Sequence, residues 1–328
     1  MKTAMENREC RAFSCGVCGG SQAAGIHEAR EMMYGLRTRF HYAQCAGCSS
    51  LWLTDPPADF AAYYASEYYS FAEGGGGAKE RIKYYLRAKR DAVYFDGGGL
   101  LGRFLAQHFE DGGLLSVSRL NVSREARILD VGCGSGKLLH RMAALGFTNL
   151  SGVDPFLAGD ISNGDGVKIR RAHVEDVTDG KYDLVMFHHS LEHVADPRNT
   201  LRTAARLLAP RGKCLVRLPV LGEAWEVYGT NWVQLSPPRH MWIPTEKAMS
   251  LLAGSAGLKL EKVEYDSTPF QFWGSELCQR DVALNTADPH NIRGRLRIRE
   301  MKELRKRVAS LNREGRGDQA AFVFTECG

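Results

Sequence analysis

Apolar and polar positions alternate with two different periods along this chain of 328 residues. From 126 onward, short apolar runs alternate with stretches in which apolar residues recur every three to four positions. ILDV at 128–131 is followed by a segment with Leu138, Leu139 and Met142 on one side. LSGVDP, KIRRAHVEDV and YDLVMFHH add three further short runs. NTLRTAARLLAPRGKCLVRLP then reads as a helix, a Pro-x-Gly turn and a fifth strand. AMSLLAGSAGLKLEKVEY and DQAAFVFTE supply a last helix and a closing antiparallel pair. Strands separated by amphipathic helices predict an α/β protein with a doubly wound, seven-stranded Rossmann-like sheet.

The pattern before 126 is different. GLRTRFHYAQC reads as a strand, KERIKYYLRAKRDAVYF (79–95) as an amphipathic basic helix, and 100–109 as a shorter helix. Asp55-Pro56-Pro57, Gly74 to Gly77 and Gly97 to Gly99 punctuate this part. Three units are therefore expected: 1–51, a helical connector or lid over 52–123, and a main domain over 124–328. The main domain carries a basic helical insertion at about 267–317.

Composition excludes several classes. With 44% hydrophobic and 25% charged residues the chain is an ordinary globular one. No run approaches the roughly 18 apolar residues of a membrane span. MKTAMENRECRAF lacks the apolar centre of a signal peptide, so a cytoplasmic location is expected. The net charge of +5 is unevenly placed, with ten Lys/Arg and three Asp/Glu at 293–316. Such a run is either a phosphate-facing surface or the solvated face of a helix. The sequence does not fix the oligomeric state.

Cysteine spacing supplies the first chemistry. Cys15-Gly-Val-Cys18 and Cys45-Ala-Gly-Cys48 are two CxxC pairs with Gly19 and Gly47 at their turns. Two such knuckles bring four thiolates to the corners of a tetrahedron, which suits a closed structural Zn²⁺ site.

The strongest signal is ARILDVGCGSGKLLHRMAALG at 126–146. A strand, a tight glycine turn and a helix open a doubly wound sheet whose crevice receives a nucleotide-like ligand. Asp130 ends the strand and Gly132, Gly134 and Gly136 follow at alternate positions. An acid at this place repels a pyrophosphate.

This loop resembles motif I of the class I S-adenosylmethionine-dependent methyltransferases. The resemblance implies S-adenosylmethionine as methyl donor, with Asp130 reaching its ammonium and the three glycines admitting its methionine and ribose portion. It further implies that Asp154 accepts the ribose hydroxyls, that Glu175 and Asp176 meet the adenine amino group, and that His188 lies on the adenosine side. With the cysteine ribbon, the YYASEYY segment and Pro237-Pro238-Arg239-His240, the chain resembles zinc-ribbon methyltransferases of bacterial glycan and secondary-metabolite pathways. The implied reaction is methyl transfer to a hydroxyl of a sugar, nucleotide sugar or glycan. C-methylation of a deoxy sugar or small natural product is the alternative, and RNA methylation a more distant one. No N-P-P-Y/F follows the fourth strand, which disfavours a nucleic-acid partner.

FHHSLEHVADP at 187–197 leaves three readings open. On a helix, His189, Glu192 and His193 share a face at i, i+3 and i+4. Glu192 and His193 are structural; or His193 or His240 is a general base; or the set, completed by His240, binds a divalent cation. The third reading resembles the E-x-x-E-H motif of ubiquinone-pathway and small-RNA ribose O-methyltransferases, with His189 in place of the first glutamate. Asp196 is an expected N-cap and Pro197 the first helical residue.

Overall fold

A computed structural model of the chain describes residues 13–64, 78–285 and 298–327. The glycine run at 74–77, most of the tyrosine-rich segment after Tyr64, and positions 293–297 of the basic stretch lie outside these residues.

Two sheets organise the fold. The first is built from β1 (Ala23–Arg30), β2 (Arg39–Cys45) and β3 (Leu51–Leu53). The second contains β4 (Arg127–Val131), β5 (Asn149–Val153), β6 (Lys168–Arg170), β7 (Tyr182–His188) and β8 (Leu208–Pro219). The two-residue β9 (Trp242–Ile243) belongs to the first sheet, whereas β10 (Leu258–Tyr265) and β11 (Gln319–Glu326) close the second. The second sheet has the order β10-β11-β8-β7-β4-β5-β6. Its strands pair in parallel except β11, which runs antiparallel to both of its neighbours. This is the expected doubly wound, seven-stranded Rossmann-like sheet.

Strand β7 shows why the sheet is buried on both sides. Leu184, Val185, Met186 and Phe187 are consecutive and all buried, the unbroken apolar run of a doubly covered parallel strand. The pleat sends Leu184 and Met186 into one core and Val185 and Phe187 into the other. The order reverses between β4 and β7, and the crevice at their carboxyl ends is where ligands of open α/β sheets bind.

Helices α1 (Ala78–Asp96), α2 (Leu100–His108) and α3 (Gly112–Ser118) form the connector. It is fastened to α4 (Lys137–Ala144) by charge. The buried Asp91 accepts from Arg141 at 2.9 Å and from Arg90 at 2.7 Å, while Asp111 accepts from Arg141 at 2.9 Å and caps α3 through Leu114. The remaining helices are α5 (Pro197–Leu207), α6 (Glu223–Tyr228), α7 (Glu246–Ser255), α8 (Phe270–Gln279) and α9 (Ile298–Arg313). Within the basic stretch, Arg307 and Arg316 pair with Glu223 of α6.

The first sheet continues past the cysteine segment, because β9 pairs with β3 and completes it from far along the chain. Two local expectations change. His189, Glu192 and His193 share no α-helical face: only Leu191–His193 turn, as a 3₁₀ helix, and His189 sits outside with φ 52°. The α-helix begins later, where Asp196 accepts from Asn199 N and Pro197 takes the first position as expected. Finally, the Pro-x-Gly turn is absorbed into β8. A register slip opposite Tyr182 and Leu184, with Arg211 at φ 66°, carries 210–212 through as part of one strand.

Candidate active site

The glycine loop fills the crevice between β4 and β7. Gly132, Gly134 and Gly136 have φ values of 74°, 54° and 74°, conformations that side chains with a Cβ adopt only at a cost. Gly132 is also crowded, since a Cβ there would lie 2.4 Å from the Cβ of Ser190. Ser190 donates its hydroxyl to the Val131 carbonyl at 2.6 Å, so the turn after β7 rests directly on the loop.

Asp130 ends β4 buried, with no cation paired to it among the described residues. Burial, assisted by the nearby Asp154, pushes its carboxyl up to about 7. Asp154, at the end of β5, accepts the backbone N–H groups of Gly134 and Phe156, each at 2.9 Å. It thereby ties the two donor-side loops together. Glu175 and Asp176 follow β6 on a single 3₁₀ turn. Asp176 accepts from His173 N at 3.1 Å, and Glu175 faces Asn199 and Thr200 of α5 at 3.3 and 3.4 Å. His188, the last residue of β7, has neither ring nitrogen hydrogen-bonded among the described residues, and burial lowers it to about 3. The structure therefore gathers the eight expected donor residues along the carboxyl ends of β4, β5, β6 and β7.

A second group lines the other rim. His193 Nδ1 lies 2.8 Å from the Arg239 carbonyl, and His240 Nδ1 lies 2.7 Å from the Gln234 carbonyl. Carbonyls only accept, so each Nδ1 carries the ring proton and each Nε2 keeps a lone pair. Glu192, wholly buried, completes a trio whose ligand atoms fall within 4.8 Å of one another. Arg217 donates to His189 Nε2 at 2.7 Å, which turns His189 Nδ1–H toward Glu192 Oε1 at 3.3 Å. That contact is off-line, and neither Glu192 oxygen has an aligned hydrogen-bond donor among the described residues.

Electrostatics keep this trio in one protonation pattern. Burial disfavours the Glu192 carboxylate, but the surrounding histidines win and hold it down at about 2. Burial lowers His240 to about 3 and lowers His193 as well. One carboxylate and two neutral imidazoles result: three lone-pair donors facing one another without a proton between them.

Some contacts were not readable as site features. Tyr64 places its phenol 3.3 Å from His193 Nδ1 and stacks with Phe156 on the donor side. Arg217 sits between His189 and Asp266, donating to both. Tyr42, fully buried in strand β2, is a neighbour of His240 that no spacing in the sequence pointed to. Two of the aromatic residues near the acceptor segment are core: Trp232 donates to Asp318 and Trp242 to the Leu191 carbonyl. Arg239 turns away from the histidines, over Tyr34, into a cavity of about 10 Å³, room for roughly one water.

The four cysteines converge as expected. Cys15 and Cys48 sulfurs lie 3.5 Å apart, Cys18 and Cys45 3.4 Å apart, and all four within 4.8 Å. A tetrahedral Zn²⁺ with bonds of about 2.3 Å sets sulfurs close to these separations. Ser50 Oγ, 3.0 Å from Cys48, supplies a hydroxyl beside the cluster. The set fits a closed structural metal site, with no position left over for a substrate.

A family model described as "Methyltransferase domain" matches residues 100–263. The chain belongs to that family. It is 36% identical over 148 residues to a ubiquinone biosynthesis O-methyltransferase of Caulobacter sp. (strain K31), covering 40% of this chain and 58% of that protein. The protein of the same name from Xanthomonas oryzae pv. oryzae (strain PXO99A) is 32% identical over 171 residues, 45% of this chain and 68% of the relative. The magnesium protoporphyrin IX methyltransferase of Synechocystis PCC 6803, solved with S-adenosylhomocysteine, aligns with a TM-score of 0.38. It is 17% identical over 61% of this chain and 86% of that one. Among the described residues, no helix is long and apolar enough to cross a membrane.

Proposed function

We propose that the chain is an O-methyltransferase that methylates a hydroxyl of a small molecule, with a sugar, nucleotide sugar or glycan as the acceptor class. The observation that carries the hydroxyl is the pair of neutral histidines, His193 and His240, whose protonated Nδ1 atoms are anchored on backbone carbonyls. Their free Nε2 atoms are hydrogen-bond acceptors, which bind an acceptor O–H and take its proton. The names of the relatives, O-methyltransferases of ubiquinone biosynthesis, support oxygen as the methylated atom. The sugar class rests on the resemblance to ribbon-bearing enzymes.

In this reading the donor half of the site is Asp130, Gly132, Gly134, Gly136, Asp154, Glu175, Asp176 and His188. S-adenosylmethionine supplies the methyl group on a sulfonium. Asp130 holds the ammonium of its methionine part, and the loop backbone approaches without side chains in the way. The chain's main contribution is to hold two reactants in line. The carbonyls of Arg239 and Gln234 keep the two imidazoles oriented, and Glu192 favours the imidazolium formed when one of them accepts the proton.

The orphaned carboxylate of Glu192 favours a second reading, in which Glu192, His193 and His240 hold a divalent cation that acidifies the acceptor hydroxyl. One carboxylate and two neutral imidazoles, each oriented by a carbonyl behind it, suit a transition metal better than Mg²⁺. The test is a screen of nucleotide sugars, glycans and phenols with S-adenosylmethionine, reading S-adenosylhomocysteine release before and after chelation. Methyl transfer to oxygen, located by NMR of the product, is the expected result. A product methylated at carbon, or no product with any hydroxyl acceptor, sinks the reading.

A further inference from the structure

The cysteine ribbon is more tightly built into the acceptor rim than a tethered module needs to be. Strand β2 ends at the cluster residue Cys45 and three positions earlier carries Tyr42, which is wholly buried. Its phenol donates to the His240 carbonyl at 2.7 Å. Burial pushes that phenol well above its ordinary pKa, so it stays a donor at every working pH.

Beside it, β3 pairs with β2 and with β9, which starts two residues after His240. Leu53 N donates to Met241 O at 2.9 Å, and Trp52 stacks on Trp242 at 5.5 Å with the rings 15° apart. The contacts continue into the opposite rim. Met241 N donates to the Glu192 carbonyl at 2.8 Å, and Trp242 Nε1 to the Leu191 carbonyl at 3.0 Å. Both knuckles are tied down as well: Thr245 donates to the Cys48 carbonyl, Lys247 to Gly47 and Arg198 to Val17. An unbroken chain of backbone and buried side-chain bonds therefore runs from the four sulfurs to His240, Glu192 and His193.

Among the described residues the ribbon makes no hydrogen bond to the donor half; its connections to it are indirect, through α5, where Arg198 donates to Val17 and the neighbouring Asn199 and Thr200 face Glu175, and through shared core packing. Asp130, Asp154 and the glycine loop are held by β4, β5 and Ser190.

We infer that Tyr42 is a positioning residue through which the metal-loaded cysteine ribbon fixes His240, and with it the acceptor half of the site, while leaving the donor half independent. The inference rests on the proposed acceptor role of that rim. It treats the cluster as part of the site's wall, since the hydrogen bonds that orient His240 from one side come from the ribbon. Metal loss then loosens the wall without removing donor binding.

The test uses the full chain, zinc-loaded, with ¹³C-labelled histidine, and S-adenosylhomocysteine as the donor-side probe. In Tyr42→Phe the NMR signals of His240 and His193 should move or broaden, while His140 on α4 stays put. Bound zinc and affinity for S-adenosylhomocysteine should stay within about twofold of wild type. Zinc removal by a chelator should reproduce the histidine change more strongly, again without loss of donor affinity, and Trp52 and Trp242 fluorescence should rise or shift as their stack opens. Unmoved His240 and His193 signals in both samples overturn the inference. So does a chelated protein that loses donor affinity together with its histidine order, because the ribbon would then support the whole fold. Should Tyr42→Phe not fold, the chelated wild type decides alone. Because the readout is histidine position, these outcomes are separate from whether His240 acts as a base, which turnover of His240→Ala decides.

Discussion

The rings of His193 and His240 meet nearly edge to face, with centroids 4.9 Å apart. One comes from the turn after β7 and the other from the segment before β9, and each is anchored at Nδ1 by a backbone carbonyl. Two buried imidazoles this close cannot both be charged, and a single proton arriving between them is shared with Glu192. His193→Ala and His240→Ala should each lower turnover by about 10² to 10⁴ if either is the base. Affinity for S-adenosylhomocysteine by titration calorimetry should hold steady. Glu192→Gln separates the two readings of the trio: a base assisted by Glu192 loses rate in metal-free buffer, whereas a cation site loses rate only by losing its metal. Normal turnover in both histidine variants removes these side chains from the chemistry.

Asp130 should make donor binding depend on pH. In the free protein burial holds its carboxyl up at about 7. A raised carboxyl is protonated below that value, and the ligand's ammonium prefers the carboxylate. Binding should therefore tighten as pH rises from about 6 to 8, by up to about tenfold per unit below the folded pKa. Calorimetry in buffers of different ionisation enthalpy should show proton release on binding at pH 6 and little at pH 8. The linkage to stability has the opposite sign. The unfolded carboxyl ionises near its ordinary value, so the ligand-free protein loses stability as pH climbs from the ordinary carboxyl range up to about 7, and no further above it. A binding constant that is flat over the range, with no proton released, would place the ammonium elsewhere.

His188 acts on stability at acid pH. Burial holds its folded-state value near 3, against an ordinary 6.5, and neither ring nitrogen has a hydrogen-bond partner among the described residues. A depressed histidine leaves stability intact above its unfolded pKa and erodes it as pH falls from about 6.5 toward the folded value. The slope is about 1.4 kcal/mol per pH unit for one such group. His240 adds to the same slope. His188→Leu should flatten the decline in Tm between pH 6.5 and 4 by roughly one proton's share. An unchanged slope would mean that His188 gains a partner or water contact that keeps it titrating normally.

Much of this was legible in the residues, for reasons that differ from place to place. The period of the apolar positions and the Asp130 to Gly136 loop carry local information, and β4, the turn and α4 follow from it directly. The CxxC pairs are legible because metal geometry acts through short spacings. The acceptor rim was only half legible. His189 misled because sequence spacing suggested a helix, whereas Arg217, from the neighbouring strand β8, holds its ring and the backbone sits at positive φ. The contact of Tyr42 with His240 and the pairing of β9 were hidden for the same reason: pairing of β3 with a two-residue strand far along the chain leaves no periodic trace.

Gly132 offers a stability test of the loop. Alanine there meets two penalties, a φ of 74° and a Cβ 2.4 Å from that of Ser190. Positive φ costs an ordinary residue about 1 to 2 kcal/mol, and overpacking costs about as much again. Gly132→Ala should lower Tm and weaken S-adenosylhomocysteine binding together. Ser190→Gly removes the obstructing Cβ, so the double variant should recover the overpacking part and leave the backbone part. Recovery of nothing in the double-mutant cycle would show that the clash is relieved by movement elsewhere.

Arg307 lies on the basic helix α9 and Arg316 just beyond its end. Arg307 and Arg316 are half exposed and share Glu223, with Arg316 also 3.3 Å from Glu226. Exposed pairs contribute about 0 to 1 kcal/mol each and weaken in salt. Arg307 also lies over the Phe272 ring at 4.3 Å, so its stem and guanidinium cover the small core of Phe272, Val308 and Leu311. The two arginines should therefore differ. Arg316→Ala should shift Tm little, and 0.5 M salt should abolish the shift. Arg307→Ala should cost more, about 1 kcal/mol, and keep that cost in salt because part of it is lost packing. If these residues instead gripped RNA, both variants would lower affinity for a labelled RNA with a shallower salt dependence. The expected outcome is no salt-dependent shift of labelled RNA with the wild-type protein, since the inward side of this helix is already engaged with α6 and Phe272.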